Sequence, residues 1–170
     1  MKSLCIPSLM VITPIVKMQI ETLDPDAKDV QALIRASDEF YLGLYPAEST
    51  HLESHDDLKR DNVLFIGGRL DGELAVSAAA KIMHDDGDYA EIKRVFVHDK
   101  FRGQGLSKKI MQYLETELQQ RGVTVFRLET GVKQPEALNL YRKLGYVDRE
   151  PFGAYRLDPL SVFMEKQVEI

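Results

Sequence analysis

The residues Arg102-Gly103-Gln104-Gly105-Leu106-Ser107 separate two patterned stretches of the chain. Before them, Glu91 to Val97 is a β-branched and aromatic run of the kind that forms strands. After them, Leu106, Ile110, Leu114 and Leu118 recur every four residues, which lays one apolar stripe along a helix. The two glycines therefore stand where a strand turns into a helix. The first N–H groups of a helix have no partner within it, and the helix dipole favours an anion there. A glycine, lacking Cβ, lets the backbone close on that anion. The chemistry this spacing supports is a grip on a pyrophosphate, and it points to nucleotide-type cofactors.

The common nucleotide fingerprints do not fit. A dinucleotide site calls for Gly-x-Gly-x-x-Gly with an acidic residue about 20 positions later, and Lys108 stands where the third glycine belongs. An ATP-type loop calls for Gly, four residues and Gly-Lys-Ser/Thr, which is absent too. His84-Asp85-Asp86-Gly87-Asp88 is acidic but lacks the spacing and closing Glu of a calcium hand, so it reads as a solvated hairpin tip. His51, His55, His84 and His98 lack metal-ligand spacing. No metal is expected.

Positioning the glycine turn takes elements that the sequence also lays out. Gln19 to Thr22 reads as a first strand, and Asp24-Pro25 as the cap and first residue of a helix. Val30, Leu33, Ile34 and Phe40 give that helix its apolar face. Gly43 to Asp61 reads as loop and short helix. Asn62 to Arg69 and Glu73 to Met83 read as strands joined in a hairpin at Asp71-Gly72. Gly122 stops the helix that follows the glycine turn. Val123 to Thr130 then reads as a strand, Pro135 to Leu144 as a helix and Ser161 to Val168 as a last strand. The order β-α-(α)-β-β-β-α-β-α-β describes an α/β (α+β) fold, a mixed central sheet with helices on both faces. Strand alternation puts Glu91, Lys93, Val95 and Val97 on one face of their strand and Ile92, Arg94 and Phe96 on the other.

At 170 residues the chain suits one domain with a real core. Its formal net charge of −5 argues against a nucleic-acid footprint, which shows as a basic domain. Cys5 is the only cysteine, which excludes an intramolecular disulfide and suits the cytoplasm. The apolar stretch Leu9 to Val16 is interrupted by Pro14, lacks a cleavage site and is too short to span a bilayer, so no membrane association is expected. Residues 1–17 read as an N-terminal extension, with a single domain over 18–170.

Residues 102–107 also fit Arg-x-x-Gly-x-Gly/Ala, with Ser107 at the last small position. Lys93-Arg94-Val95-Phe96-Val97-His98 leads into it, and Leu128-Glu129-Thr130-Gly131 and Pro135 to Tyr146, ending in a Gly-aromatic pair, follow it. In these stretches, and in the tail from Phe152 to Lys166, the chain resembles the GNAT superfamily of N-acetyltransferases, within a bacterial subgroup of acetyltransferases. The resemblance implies acetyl-CoA as cofactor and a V-shaped slot for its pantetheine arm, opened where the strands of Arg94-Val95 and Phe126-Arg127 splay apart. It implies pyrophosphate binding by Gly103, Gln104, Gly105, Leu106 and Ser107, with Arg102 adding charge and Lys108 and Lys109 lying near the 3′-phosphate. Backbone groups of Val95, Phe96 and Val97 would pair with the thioester carbonyl and pantetheine amides, and Asn139 with the same arm.

The resemblance further implies direct attack of an amine on the thioester. Tyr141 occupies the family's usual general-acid position, and Glu91 lies where members often carry a basic carboxylate. Glu129 is a second carboxylate candidate, and a water chain ending at backbone carbonyls is a further route for the proton. Tyr45 and Tyr155 are candidates for the acceptor pocket, whereas Phe40 and Tyr41, at helical spacing, read as core. The expected acceptor is the primary amine of a small molecule. A non-catalytic acyl-CoA sensor and a protein lysine or N-terminal acetyltransferase are the competing readings. A homodimer pairing through the last strand is also compatible with the sequence.

Overall fold

A computed structural model describes residues 17–169. The expected extension, but for Lys17, lies outside the described residues. Seven strands form one sheet: β1 (Gln19–Thr22), β2 (Val63–Leu70), β3 (Glu73–Met83), β4 (Tyr89–Val97), β5 (Val125–Gly131), β6 (Val147–Arg149) and β7 (Ser161–Gln167). Their spatial order is β1-β2-β3-β4-β5-β7-β6. Only β4 and β5 run parallel, and the other neighbours are antiparallel. The helices are α1 (Lys28–Leu44), α2 (Leu106–Gln120) and α3 (Pro135–Lys143). The mixed sheet of the sequence reading is therefore present.

Both faces of the sheet are covered. The four-residue stripe of α2 is buried, and Met111 joins it against Ala78, Ala80 and Ile92 of the sheet. Burying each such side chain contributes roughly 1.5–3 kcal/mol. On the opposite face, Val30 of α1 packs with Leu23, Phe65 and Ala79. Glu115 of α2 is buried yet fully engaged: Lys166 Nζ donates to it at 2.5 Å and the Tyr146 hydroxyl at 2.9 Å. That link ties α2 to β7 and fixes the turn after α3. Tyr146 in turn packs edge-on against Tyr141, ring centroids 5.8 Å apart.

Three local expectations need correcting. Asp24 does not cap α1: its carboxylate accepts the Asp26 N–H at 2.9 Å, and the helix starts after Ala27. An Asp that bonds the backbone two residues on makes a turn of its own in competition with a helix cap. The strand β6 escaped the sequence reading because three residues cannot display a period, and Val147 on it is exposed. β6 also flanks β7 through Phe163, Met164 and Glu165, so β7 is an inner strand with no free edge for a second copy over those residues.

The third correction matters for function. Ser77 pairs with Phe96 and Ala79 with Lys93, so Ala78 alone faces both Arg94 and Val95. Two residues against one is a β-bulge, and Arg94 takes a left-handed φ of 55° within it. The expected alternation breaks there. Lys93 and Arg94 both reach the α1 side, toward Glu53 and Asp38, and Phe96 meets the α1 rings of Phe40 and Tyr41. Val95 and Val97 fall instead on the α2 side.

Candidate functional site

The bulge parts two strands. β4 and β5 pair only over Ala90–Ile92 and Phe126–Leu128. Phe126-Arg127 thus lies in the paired segment, and the same two strands part beyond it, between Lys93–Val97 and Glu129–Gly131. A cleft of about 860 Å³ runs along it, within the size range of small-molecule sites. Val95, Phe96 and Val97 line it on one side and Tyr141 on another.

At one end of the cleft stands the start of α2. Gly103 and Gly105 hold φ of 79° and 72°, with open space where a Cβ would project. No side chain caps α2, and Gly105, its N-cap, is left-handed. The result is an uncovered set of N–H donors at the positive end of a fifteen-residue helix. Gly103, Gly105, Leu106, Ser107 and Lys108 line the cleft; Gln104 and Lys109 are exposed outside the lining. These residues fit the pyrophosphate of an acyl-CoA. Arg102 reaches the cleft too, but its guanidinium pairs with Asp99 at 2.7 Å and lies over the Phe40 ring, 4.8 Å from the centroid. Asn139 sits on the exposed side of α3 and does not line the cleft.

Tyr141 is buried in α3 beside the parting. Burial, reinforced by the nearby Tyr41 and Glu129, pushes its phenol far above the ordinary value of 10, so the hydroxyl holds its proton at every working pH. Among the described residues that hydroxyl makes no hydrogen bond to protein. Tyr41 and Phe40 also line the cleft, half-buried, rather than belonging to a sealed core. The Tyr41 hydroxyl donates to the Val95 carbonyl at 3.0 Å and so braces the bulge.

The far wall of the cleft carries the carboxylates. Glu91 is buried, and its Oε1 accepts from the Tyr155 hydroxyl at 2.5 Å and from Lys93 Nζ at 3.2 Å. Its Oε2 takes no hydrogen bond among the described residues. Lys93 also donates to the Tyr155 hydroxyl at 3.0 Å and lies 3.4 Å from Glu53. His51 stacks edge-on against Tyr155. Neither His51 nor Glu53 was singled out for chemistry in the sequence, because Gly43 to Asp61 follows no helical or strand period. Behind this wall lies a second cavity of about 700 Å³, which shares His51, Glu53, Glu91, Lys93 and Tyr155 with the cleft. It is lined further by Met83, Tyr89 and Phe152, by the acids Glu48, Asp57, Asp85 and Asp158, and by Lys81 and Arg156.

Tyr45 is buried with its ring over Gly131, and its hydroxyl accepts the Lys133 N–H at 3.0 Å. A Cβ at Gly131 would overlap that phenol. Gly131→Ala is therefore expected to destabilise the fold by about 1–3 kcal/mol, seen calorimetrically as a Tm lower by several degrees. An unchanged Tm would contradict this packing.

Glu129 lines the cleft and accepts the Ser161 hydroxyl at 2.6 Å. Burial is the largest influence on it and raises its pKa above the ordinary 4.5. A raised folded-state pKa favours folding below pH 4.5, and that advantage is lost as pH climbs through the elevated value. Glu129→Gln keeps an acceptor for Ser161 and removes the titration. The variant should melt above the parent near pH 8, the gain shrinking toward about pH 4. Equal differences at both pH values would refute the assignment.

Among the described residues no group of three or more His, Cys, Asp and Glu is placed to hold a metal ion. No described helix is long and apolar enough to cross a membrane.

Comparison with known proteins gives the family and the fold. The model of the acetyltransferase (GNAT) family matches residues 30–146. The IAA acetyltransferase of Azospirillum brasilense is 40% identical over 137 residues, covering 81% of this chain and 89% of its own. A Klebsiella pneumoniae crystal structure described as an acyl-CoA N-acyltransferase superposes with a TM-score of 0.74 at 32% identity, over 89% of this chain and 98% of that one. The PaiA N-acetyltransferase of Thermoplasma acidophilum, solved in complex with coenzyme A, shares the fold with a TM-score of 0.68 at 19% identity, over 89% of this chain and 99% of that one. The chain belongs to the GNAT family of N-acetyltransferases.

Proposed function

We propose that this N-acetyltransferase moves an acetyl group from acetyl-CoA to the primary amine of a small molecule, with both bound together in the cytoplasm. One observation carries the reading. The cleft that starts at the bare end of α2 and the acidic cavity behind it meet at a single wall, Glu91-Lys93-Tyr155. Acetyl-CoA, when bound, supplies a thioester activated toward an amine.

The chain's own residues do the rest. N–H groups of residues 103–107 hold the pyrophosphate at the α2 terminus. The unpaired edge of β4 at Val95–Val97 offers backbone groups to the pantetheine arm and donors for oxyanion charge. An amine with a lysine-like pKa of about 10.4 arrives more than 99% protonated, so making it nucleophilic costs roughly 4–5 kcal/mol. Glu91 accepts that proton through Oε2, while Lys93 and Tyr155 hold its other oxygen in place. Tyr141 keeps a proton at its hydroxyl for the leaving sulfur. A phenol with a raised pKa suits that task because the same dry surroundings also favour the neutral thiol over the thiolate. In the second cavity Glu48, Glu53, Asp57, Asp85, Glu91 and Asp158 outnumber Lys81, Lys93 and Arg156, and that excess of acid draws in a cationic amine.

The test is thiol release from acetyl-CoA across a panel of small amines, amino acids and peptides. Turnover with small amines supports the reading. Turnover with peptides alone would replace it by a protein acetyltransferase, and tight acetyl-CoA binding without any turnover by a sensor.

A further inference from the structure

Arg94 stands at the left-handed position of the β4 bulge, where glycine is the usual occupant. For a residue with a side chain that conformation costs roughly 1–2 kcal/mol. Something must hold it there, and the structure supplies three ties. The Arg94 carbonyl accepts the buried Ser77 hydroxyl at 3.0 Å. Its guanidinium pairs with Asp38 of α1 through Nη1. The same guanidinium donates to the main-chain carbonyl of Glu53 from Nε, at 3.1 Å, and from Nη2.

Glycine would form the bulge without strain, so the side chain must contribute something else. What it reaches is the segment between α1 and β2, which carries His51 and Glu53 to the wall shared by the two cavities. That segment contains only two short 3₁₀ turns, Ala47–Ser49 and Asp57–Lys59, and has no ladder of its own. A guanidinium with only 4% of its side chain exposed, forked between a carboxylate and a carbonyl, is a rigid connector. Glu53 is fixed at its backbone by Arg94 while its carboxylate sits beside Lys93, and Lys93 contacts Glu91.

We infer that Arg94 is a positioning residue that ties the acceptor-side segment 45–62 to the bulge. The backbone that would receive the thioester and the wall that would receive the amine are thereby kept in register. The acceptor, rather than the cofactor, is what this tie serves. The inference deepens the proposed function and rests on it for its kinetic readout, though not for its structural one.

Arg94→Gly separates the two roles of the residue, because glycine keeps the left-handed backbone and deletes the connector. Acetyl-CoA affinity is expected to stay within about twofold of the parent, since Val95–Val97 and residues 103–107 are untouched. The kcat/KM for the acceptor is expected to fall about tenfold, mainly through KM, because a loosened segment binds the acceptor less well in ground state and transition state alike. Arg94→Lys, which keeps the charge but not the fork, should lie between. Limited trypsin digestion provides the readout independent of activity: cleavage after Lys59 or Arg60 should accelerate in Arg94→Gly while cleavage within β2–β7 and α2–α3 keeps the parent's rate.

Unchanged acceptor kinetics together with unchanged cleavage would overturn the inference. So would a parallel loss of acetyl-CoA affinity, which would mean that the bulge itself had collapsed. Should Arg94→Gly fail to fold, Asp38→Asn decides instead: faster cleavage at the same two sites supports the tie, and parent-like cleavage refutes it. A parent protein that binds no acetyl-CoA would defeat the proposed function alone, and the digestion result would still judge Arg94.

Discussion

Tyr141→Phe is expected to lower kcat about 100-fold or more at neutral pH, with the Kd for acetyl-CoA held within about twofold. The size follows from losing a positioned proton donor where few others can reach. Tyr141 lies on α3 with its ring against Tyr146, and its hydroxyl has no other task among the described residues. Removing one oxygen leaves that packing in place, so Tm should not move. Steady-state kinetics with a good acceptor, run beside a melting curve, separate the two roles. A variant that turns over at the parent rate would show that Tyr141 is merely part of the core.

Glu91→Gln is expected to cost a comparable factor, about 100-fold in kcat/KM near pH 7. This loss should depend on pH where the previous one does not. As the medium approaches about pH 10, the acceptor deprotonates without help, and the gap between variant and parent should narrow. Gln retains an oxygen for the Tyr155 hydroxyl and Lys93, so the wall should survive the change. A deficit that stays constant across the pH range would assign Glu91 a purely structural part and move the base to Glu129 or to a water chain.

Much of this arrangement is marked in the residue types of the chain. The turn Gly103–Gly105 was legible because left-handed backbone and an uncovered helix start leave a mark in residue type. The α2 stripe and the hairpin at Asp71-Gly72 were legible because their periods and turn residues agree. Tyr141 came from the resemblance alone. The bulge was not legible: Arg94 is not glycine, so nothing in Glu-Ile-Lys-Arg-Val-Phe-Val signals that alternation fails midway. That one inserted residue turned Val95 and Val97 toward α2 and left Glu91 and Lys93 together at the second cavity.

The wall itself was half legible. Glu91 and Tyr155 were candidates, but His51 and Glu53 reach them from a segment held by tertiary contacts. Arg102 lines the cleft, and its guanidinium is paired there with Asp99, three residues earlier, and laid over the Phe40 ring. Asn139 faces outward, since the side of α3 that meets the cleft is taken by Ala137, Leu140 and Tyr141.

The proposed activity requires a pyrophosphate held at the start of α2 with the rest of the cofactor laid along β4. Backbone amide spectra recorded during a titration with coenzyme A measure this directly. Resonances of Gln104 to Ser107 and of Val95 to Val97 should shift together and saturate at one ligand per chain. Saturable binding that leaves both groups unmoved, or no binding at all, would contradict it.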